Sequence, residues 1–494
     1  MAPLISAAEV AKHNNKGDCW VILNGDVYDL TNFLPEHPAG ANIILKYAGK
    51  DGSKAFNPIH PSDIIQKLLP AKVRVGKVDP ATLKAEAAEK PSEEELQRQK
   101  AESSKPPLSQ MLNMWDFEAV AKQVLKKEAW AYYSSGADDE ITLRENHAAF
   151  GRIWLKPRIL IDVAKIDMST TILGQKSSIP LYISATALGR LGHPDGECNL
   201  TRAAHTHDII QMIPTLASCT FDEIRGAARN GQHQFFQLYV NKDRKITEAV
   251  VRKAEAAGCK GLFITVDAPQ LGRREKDMRM KFDDDSAIQK ETGDRVDRNQ
   301  GAARAISSFI DPALKWDDIK WFKSITKMPI VLKGVQCAED AVLAYQYGCQ
   351  GVVLSNHGGR QLDWSRSGIE ILPEVMAALD AVGARDKLEV YVDGGVRRAT
   401  DIFKAVALGA KAVGIGRPLL YAMSSYGQAG VERALDLLKD EMEMTMRLMG
   451  TPTIKDITRS HVITDNLNKH ISVVEDFSMN SVYDRLSTSA NPKL

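Results

Sequence analysis

The run Gly351-Val352-Val353-Leu354, followed by Ser355-Asn356-His357-Gly358-Gly359-Arg360-Gln361-Leu362-Asp363, joins a short apolar segment to a polar, glycine-bearing turn. Four apolar or small residues bounded by a turn signal read as a strand buried on both faces. A histidine then sits just beyond the strand, two glycines let the backbone turn tightly, and an arginine lies three residues on. Such a loop offers a proton acceptor beside a fixed cation that can grip a carboxylate in bidentate fashion. Taken alone it reads equally well as a capped loop with a solvated arginine.

The chain around it repeats the same pattern. Apolar strand segments are expected over 181–185, 209–213, 235–240, 262–266, 330–333, 352–354, 390–392 and 412–415. Helical segments lie between most of them, as at 247–257, 338–347 and 400–408. Eight strands alternating with helices over about 250 residues predict a (β/α)8 barrel. A doubly wound sheet is the competing architecture, but no Gly-x-Gly-x-x-Gly fingerprint opens a strand–helix unit. Between Asp283 and Arg304 the rhythm gives way to a polar, charged insertion, expected as an exposed loop after the fourth strand. An amphipathic helical stretch is expected from Trp115 to about Ser134.

In such a barrel, chemistry gathers at the carboxyl ends of the strands. Read in order, those ends carry Ala185-Thr186-Ala187, Thr215-Leu216, Gln237 with Tyr239, Thr265 with Asp267, Lys333, His357 with Arg360, Asp393-Gly394-Gly395, and Gly416-Arg417. Each has a bland reading of its own: Asp267 as a helix cap, Lys333 as surface, Tyr239 as core. Together they make a polar rim that a purely structural barrel does not need. The seventh and eighth exits, Asp393-Gly394-Gly395-Val396-Arg397 and Gly414-Ile415-Gly416-Arg417-Pro418, are glycine-bearing turns that each hold an arginine. Backbone N–H groups and a cation in these positions suit a phosphate, so a phosphate-bearing cofactor or substrate is implied.

The region from Trp115 to about Leu448 resembles the FMN-dependent L-2-hydroxyacid oxidising family. The motifs that carry this are Tyr132-Tyr133-Ser134-Ser135-Gly136-Ala137, Ser184-Ala185-Thr186-Ala187, Gln237-Leu238-Tyr239-Val240, Thr265-Val266-Asp267-Ala268-Pro269, Leu332-Lys333-Gly334-Val335, Asp393-Gly394-Gly395-Val396-Arg397 and the stretch from Ser355 to Asp363. The resemblance implies His357 as the base, with Asp267 stabilising its imidazolium. It implies Tyr132, Arg360 and Arg274 as holders of the substrate carboxylate, Tyr239 as partner of the hydroxyl, and Ala187 with Leu216 beside the substrate side chain. Lys333 would face the flavin edge where negative charge grows on reduction. Ala185, Thr186, Ala187, Gln237, Thr265, Ser355 and His357 would line the flavin ring or ribityl chain; Asp393, Gly395, Arg397, Gly416 and Arg417 would hold ribityl and phosphate. The chain departs from the family at Pro214, where a flavin-contacting serine is usual; proline supplies neither hydroxyl nor N–H.

Upstream, strand-like 19–23 and 27–30 flank an Asn24-Gly25-Asp26 turn. His37 and His60 are present, and two histidines in a small domain are more often surface residues than ligands. The stretch Ile5 to Val78, however, resembles the cytochrome b5-like haem domains through Asp18-Cys19-Trp20-Val21-Ile22, Val27-Tyr28-Asp29-Leu30-Thr31 and His37-Pro38-Ala39-Gly40, with Ala39 replacing a usual glycine. That resemblance implies haem b (protohaem IX) with His37 and His60 as its two axial ligands, a set that favours electron transfer. The expected organisation is a small α+β haem domain at 1–78, a charged linker at 79–107 helical around 93–100, an FMN-binding (β/α)8 barrel at 108–460, and a tail at 461–494.

The order haem domain, linker, flavin barrel resembles the family's haem-bearing branch. It implies oxidation of L-lactate to pyruvate, with electrons passed from FMN through haem to cytochrome c or a similar acceptor, in a homotetramer. The base takes the Cα proton, or the hydroxyl proton while hydride moves; residue types do not separate these routes. A 2-hydroxyacid oxidase that reduces O2 to H2O2 is the alternative, and a haem carrier with a silent barrel is a rival of another class.

With 494 residues, a formal net charge of +1 and 44% hydrophobic residues, nothing predicts a nucleic-acid partner. No apolar run is long enough to span a bilayer. Six scattered cysteines without a Cys-x-x-Cys pair suit reduced thiols. The N-terminal residues carry no recognisable leader, and Pro492-Lys493-Leu494 is a relaxed peroxisomal address. The resemblance implies the mitochondrial intermembrane space; peroxisome and cytosol are the alternatives.

Overall fold

The computed structural model of the chain describes residues 3–35, 37, 41–57, 59–60, 64–65, 69–83, 92–279 and 309–470. The expected insertion at 283–304, Ala39 and the tail beyond residue 470 lie outside the described residues.

Eight parallel strands close into a barrel: β1 (Leu181–Ile183), β2 (Ile210–Ile213), β3 (Gln234–Leu238), β4 (Leu262–Thr265), β5 (Ile330–Val335), β6 (Gly351–Leu354), β7 (Glu389–Asp393) and β8 (Ala412–Ile415), with β8 pairing back onto β1. Alternation explains why the sequence reads as continuous apolar runs. One set of side chains, including Tyr182, Met212, Phe235, Phe263, Val331, Val353 and Tyr391, packs inside the barrel. Their neighbours, such as Ile183, Phe236, Leu262, Leu332, Val352 and Val392, pack outward in the larger core with the helices. Both faces are buried, so both must be apolar.

The expected helix at 115–134 is two helices, Met114–Val124 and Lys127–Ser134, broken where Leu125 and Lys126 adopt extended backbone. Neither glycine nor proline marks the break, so residue pattern alone offered no stop signal. The first helix opens with a capping box between Asn113 and Asp116. In the linker, helix Glu93–Ser103 is capped by Ser92 and has no fully buried residue. It is nonetheless tied to the barrel: Arg98 donates to the Val124 carbonyl at 3.3 Å, and Lys105 beyond it to the Ser425 carbonyl at 2.7 Å.

The N-terminal unit holds a five-stranded sheet whose central hairpin pairs Asp18–Leu23 with Asp26–Asp29. Asn24 and Gly25 both take positive φ (54° and 84°), as a two-residue hairpin of the I′ type requires. One face of the sheet packs with Leu34, Ile44 and Ala48 into a small apolar core.

Candidate active site

The carboxyl ends of the barrel strands surround a cavity of about 450 Å³. That volume lies within the range of small-molecule and cofactor sites. Of the barrel residues singled out above, all line the cavity except Thr215, Asp267 and Ser355, each of which is hydrogen-bonded to a residue that does.

His357 leaves β6 with φ 61°, followed by Gly358 and Gly359 at 63° and 76°. Three successive left-handed residues swing the imidazole back over the barrel mouth. Ser355 Oγ supports this turn by accepting the His357 N–H at 3.1 Å. Nδ1 lies 3.0 Å from Asp267 Oδ1, and Nε2 lies 3.0 Å from the Tyr239 hydroxyl. A proton on Nδ1 facing the carboxylate leaves Nε2 as a lone pair directed at the cavity side. Burial pushes the His357 pKa down; Asp267 pulls it up, and Lys333 and Arg274 add to the lowering. The net direction is down, so the imidazole is a neutral acceptor. Burial alone would raise Asp267, but His357 and Lys333 outweigh it and hold the carboxyl below its ordinary value.

Asp267 can come this close because of Gly334. A Cβ there would stand 2.6 Å from the Asp267 side chain, and Gly334 itself has φ 111° at a register shift in β5. On the same strand, Lys333 Nζ lies 3.1 Å from Asp393 Oδ2 and donates to Ser355 Oγ at 3.1 Å. Burial opposes its charge, but Asp393 and Asp267 prevail and raise its pKa. A fixed ammonium therefore faces the cavity.

Two guanidinium groups also line the cavity. Arg360 donates to the carbonyls of Tyr132 (2.7 Å) and Ser135 (3.0 Å) and lies over the Tyr132 ring. Arg274 is buried, and burial followed by repulsion from Arg360 lowers its pKa to about 9. Among the described residues, neither makes an ion pair with a carboxylate. Two adjacent cations without a counter-ion, Arg274 buried and Arg360 half-buried, form a site that favours an anion.

Away from this wall, the cavity presents hydrogen-bonding atoms without partners: Ser184 Oγ, Thr186 Oγ1 and Asp393 Oδ1 are buried and unpaired. Gln237 donates to Thr265 Oγ1 at 2.9 Å and accepts the Thr215 N–H. Arg397 stacks over Trp115 and pairs with Glu118 at 2.6 Å. Arg417 gives three of its N–H groups to the carbonyls of Tyr133, Gly358 and Ser135, each at 2.8 Å, so it clamps the rim as well as lining it. Orphan acceptors and donors along one wall, a fixed ammonium and two arginines beside glycine turns fit the ring edge, ribityl hydroxyls and phosphate of FMN. Pro214 lines the same cavity and offers only its apolar ring.

The family model for FMN-dependent dehydrogenases matches residues 121–464. The chain belongs to the FMN-dependent dehydrogenase family. A second family model, the cytochrome b5-like haem/steroid-binding domain, matches residues 6–79. The chain is 56% identical over 480 residues to L-lactate dehydrogenase (cytochrome) of Wickerhamomyces anomalus, covering 97% of this chain and 83% of that protein. Glycolate oxidase 1 of Zea mays is 44% identical and covers 73% of this chain. The recombinant flavin-binding domain of baker's yeast flavocytochrome b2 superposes with a TM-score of 0.72 at 48% identity, over 82% of this chain and all of that one.

In the N-terminal unit of this FMN-dependent dehydrogenase, the rings of His37 and His60 face each other with centroids 6.1 Å apart. One metal ion bonded at about 2 Å to each fits that gap. His60 Nδ1 is 3.2 Å from the Phe56 carbonyl, which fixes a tautomer with Nε2 free to ligate. Burial, with a smaller push from His37, lowers the His60 pKa to about 4, so it stays a neutral ligand. Phe33 and Phe56 flank the pair, with Leu34 and Ile44 in the adjoining core. Two imidazoles facing each other among aromatic and aliphatic side chains fit a b-type haem.

Sequence reasoning missed the supports. The carboxamides of Asn146 and Asn356 pair reciprocally at 2.8 and 2.7 Å, and His147 Nδ1 lies 2.8 Å from the Gly395 carbonyl. Both residues lie on an ordinary-looking helix, Ile141–Gly151, whose spacing carries no signal of the loops they touch. Ser184 stood inside a quoted motif, and only its unpaired burial reveals it as a cavity group.

Proposed function

We propose that the protein oxidises L-lactate to pyruvate in the barrel cavity and delivers the electrons through its haem domain to cytochrome c or a similar acceptor. The observation that carries this reading is the convergence, in one cavity, of a neutral histidine backed by a buried carboxylate and two arginines, Arg274 and Arg360, that among the described residues have no carboxylate counter-ion. FMN held in this cavity would supply a two-electron acceptor, and haem held by His37 and His60 would supply a one-electron carrier. The substrate carboxylate lies against Arg274 and Arg360, with Tyr132 beside them. Tyr239 orients the hydroxyl. His357 Nε2 takes a proton from substrate, and Asp267 stabilises the imidazolium that forms. Lys333 offers its ammonium to charge that grows at the flavin ring edge.

Ala187 and Leu216 border the place of the substrate side chain. One methylene there changes discrimination by about 1–3 kcal/mol, so 2-hydroxybutyrate and glycolate are weaker substrates rather than excluded ones. The L-lactate dehydrogenase (cytochrome) relative matches both units of this chain, which favours haem over dioxygen as the outlet for electrons. A homotetramer is the assembly we propose. The test is a visible spectrum before and after L-lactate, followed by parallel measurements of cytochrome c reduction and oxygen uptake. Bleached flavin, reduced haem and rapid cytochrome c reduction are expected. Oxygen uptake in excess of cytochrome c reduction would move the reading to an oxidase, and an unbleached flavin would overturn it.

A further inference from the structure

The reactive constellation is divided between two loops that leave non-adjacent strands. Asp267 and Arg274 follow β4, whereas His357 and Arg360 follow β6, and β5 lies between them in the barrel. Ladder hydrogen bonds therefore fix the root of each loop but not the spacing of their tips. Besides the His357–Asp267 contact and a long bond from Arg274 Nε to the Arg360 carbonyl (3.4 Å), the Gln361 side chain spans that gap with three hydrogen bonds. The Gln361 carboxamide donates through Nε2 to the carbonyls of Asp267 (2.7 Å) and Gln270 (2.9 Å), and its Oε1 accepts the Gly272 N–H at 3.0 Å. Gln361 is buried, and it does not line the cavity. With both N–H groups committed, a flipped amide would set oxygen against two carbonyls, so the orientation is fixed. The loops touch directly here: a Cβ at Gly272 would stand 2.4 Å from the carbonyl oxygens of both Arg360 and Gln361.

We propose that Gln361 is a positioning residue of the reaction, setting the Asp267–His357 separation and the Arg274–Arg360 spacing through one amide. The proposal rests on the reading of those four residues given above. Loosening this tie lets Asp267 recede from His357. The other groups facing the imidazole are Lys333 and Arg274, which disfavour its protonation, and the neutral Tyr239 hydroxyl. His357 then becomes less basic while Arg274 drifts from Arg360, so the base and the carboxylate grip weaken together.

The experiment compares holoenzyme with Gln361→Met, which has similar length and no hydrogen bonds, and with the near-isosteric Gln361→Glu. Oxalate serves as an unreactive carboxylate probe. In both variants the KM for L-lactate and the oxalate Kd should rise, and anaerobic flavin reduction should slow, each by about tenfold or more. The acid limb of kcat/KM should move to lower pH. In Gln361→Glu the introduced carboxyl regains a donor when protonated, so oxalate affinity should recover as pH falls, a recovery that Gln361→Met lacks. Should the methionine variant fail to accumulate, Gln361→Glu alone carries the test. A lowered Tm with unchanged KM, reduction rate and acid limb would make Gln361 merely structural and overturn the proposal. The underlying reading fails separately, if Asp267→Asn leaves flavin reduction intact.

Discussion

Replacing Asp267 by Asn tests how much of the chemistry depends on a single buried charge. The carboxylate Oδ1 stands 3.0 Å from His357 Nδ1 with the side chain almost wholly buried, and burial, Lys333 and Arg274 all oppose an imidazolium. Among the described residues that act on it, Asp267 supports it. Taking an effective dielectric of about 20 and about 4 Å between charge centres, the attraction lost is about 4 kcal/mol. If most of that charge has developed in the transition state, flavin reduction slows by about three orders of magnitude. The sign of the accompanying pH effect is fixed. The base must be neutral to act, and removing the carboxylate that raises its pKa lets it stay neutral further into acid. The acid limb of kcat/KM therefore moves to lower pH even as the rate collapses. Anaerobic stopped-flow mixing with L-lactate, followed at the flavin absorbance across pH, reads both quantities. A rate within about tenfold of the parent, or an acid limb that moves upward, would refute the reasoning.

Arg274→Met removes one of two charge-assisted contacts, each worth about 1.5–3 kcal/mol, so the KM for L-lactate should rise by about 10- to 100-fold, measured by steady-state kinetics. His60→Ala should leave flavin reduction by L-lactate intact and abolish the reduced-haem spectrum; a haem still reduced would sink the ligand assignment. Acid should weaken the haem-free N-terminal unit over a defined window. Burial holds His60 near 4 in the folded state against 6.5 ordinarily, so below 6.5 the unfolded chain binds a proton that the folded chain does not. About 3 kcal/mol of stability is thus present above 6.5 and lost as pH falls toward 4, which denaturant titration at a series of pH values would show.

The barrel was legible because both faces of every strand are buried, which leaves apolar runs such as residues 262–264 that need only a strand ending and a turn residue to be located. Polar rim residues were legible for the complementary reason: Lys333, Asp393 and His357 sit where apolar runs stop. The break at Leu125 was not, because it depends on packing two helices differently rather than on a local breaker. The Arg417 clamp was also hidden. An arginine after a glycine turn suggests phosphate, and nothing in its neighbours reveals the three distant carbonyls it also holds.

The stretch from Ser355 to Asp363 shows why such a motif is long. Only His357 and Arg360 present side chains suited to substrate, yet most of the others carry a mechanical duty. Ser355 joins Lys333 to the His357 backbone, and Asn356 locks onto Asn146. Gly358 gives its carbonyl to Arg417, Gln361 ties the β4 loop, and Asp363 accepts the N–H groups of Ile141 and Thr142 at the start of the helix Ile141–Gly151. A histidine at φ 61° stores strain that a free loop would release by relaxing to ordinary backbone. Anchors on four separate elements remove that escape. The residue pattern that betrays the chemistry is therefore largely a record of the forces needed to hold two side chains still.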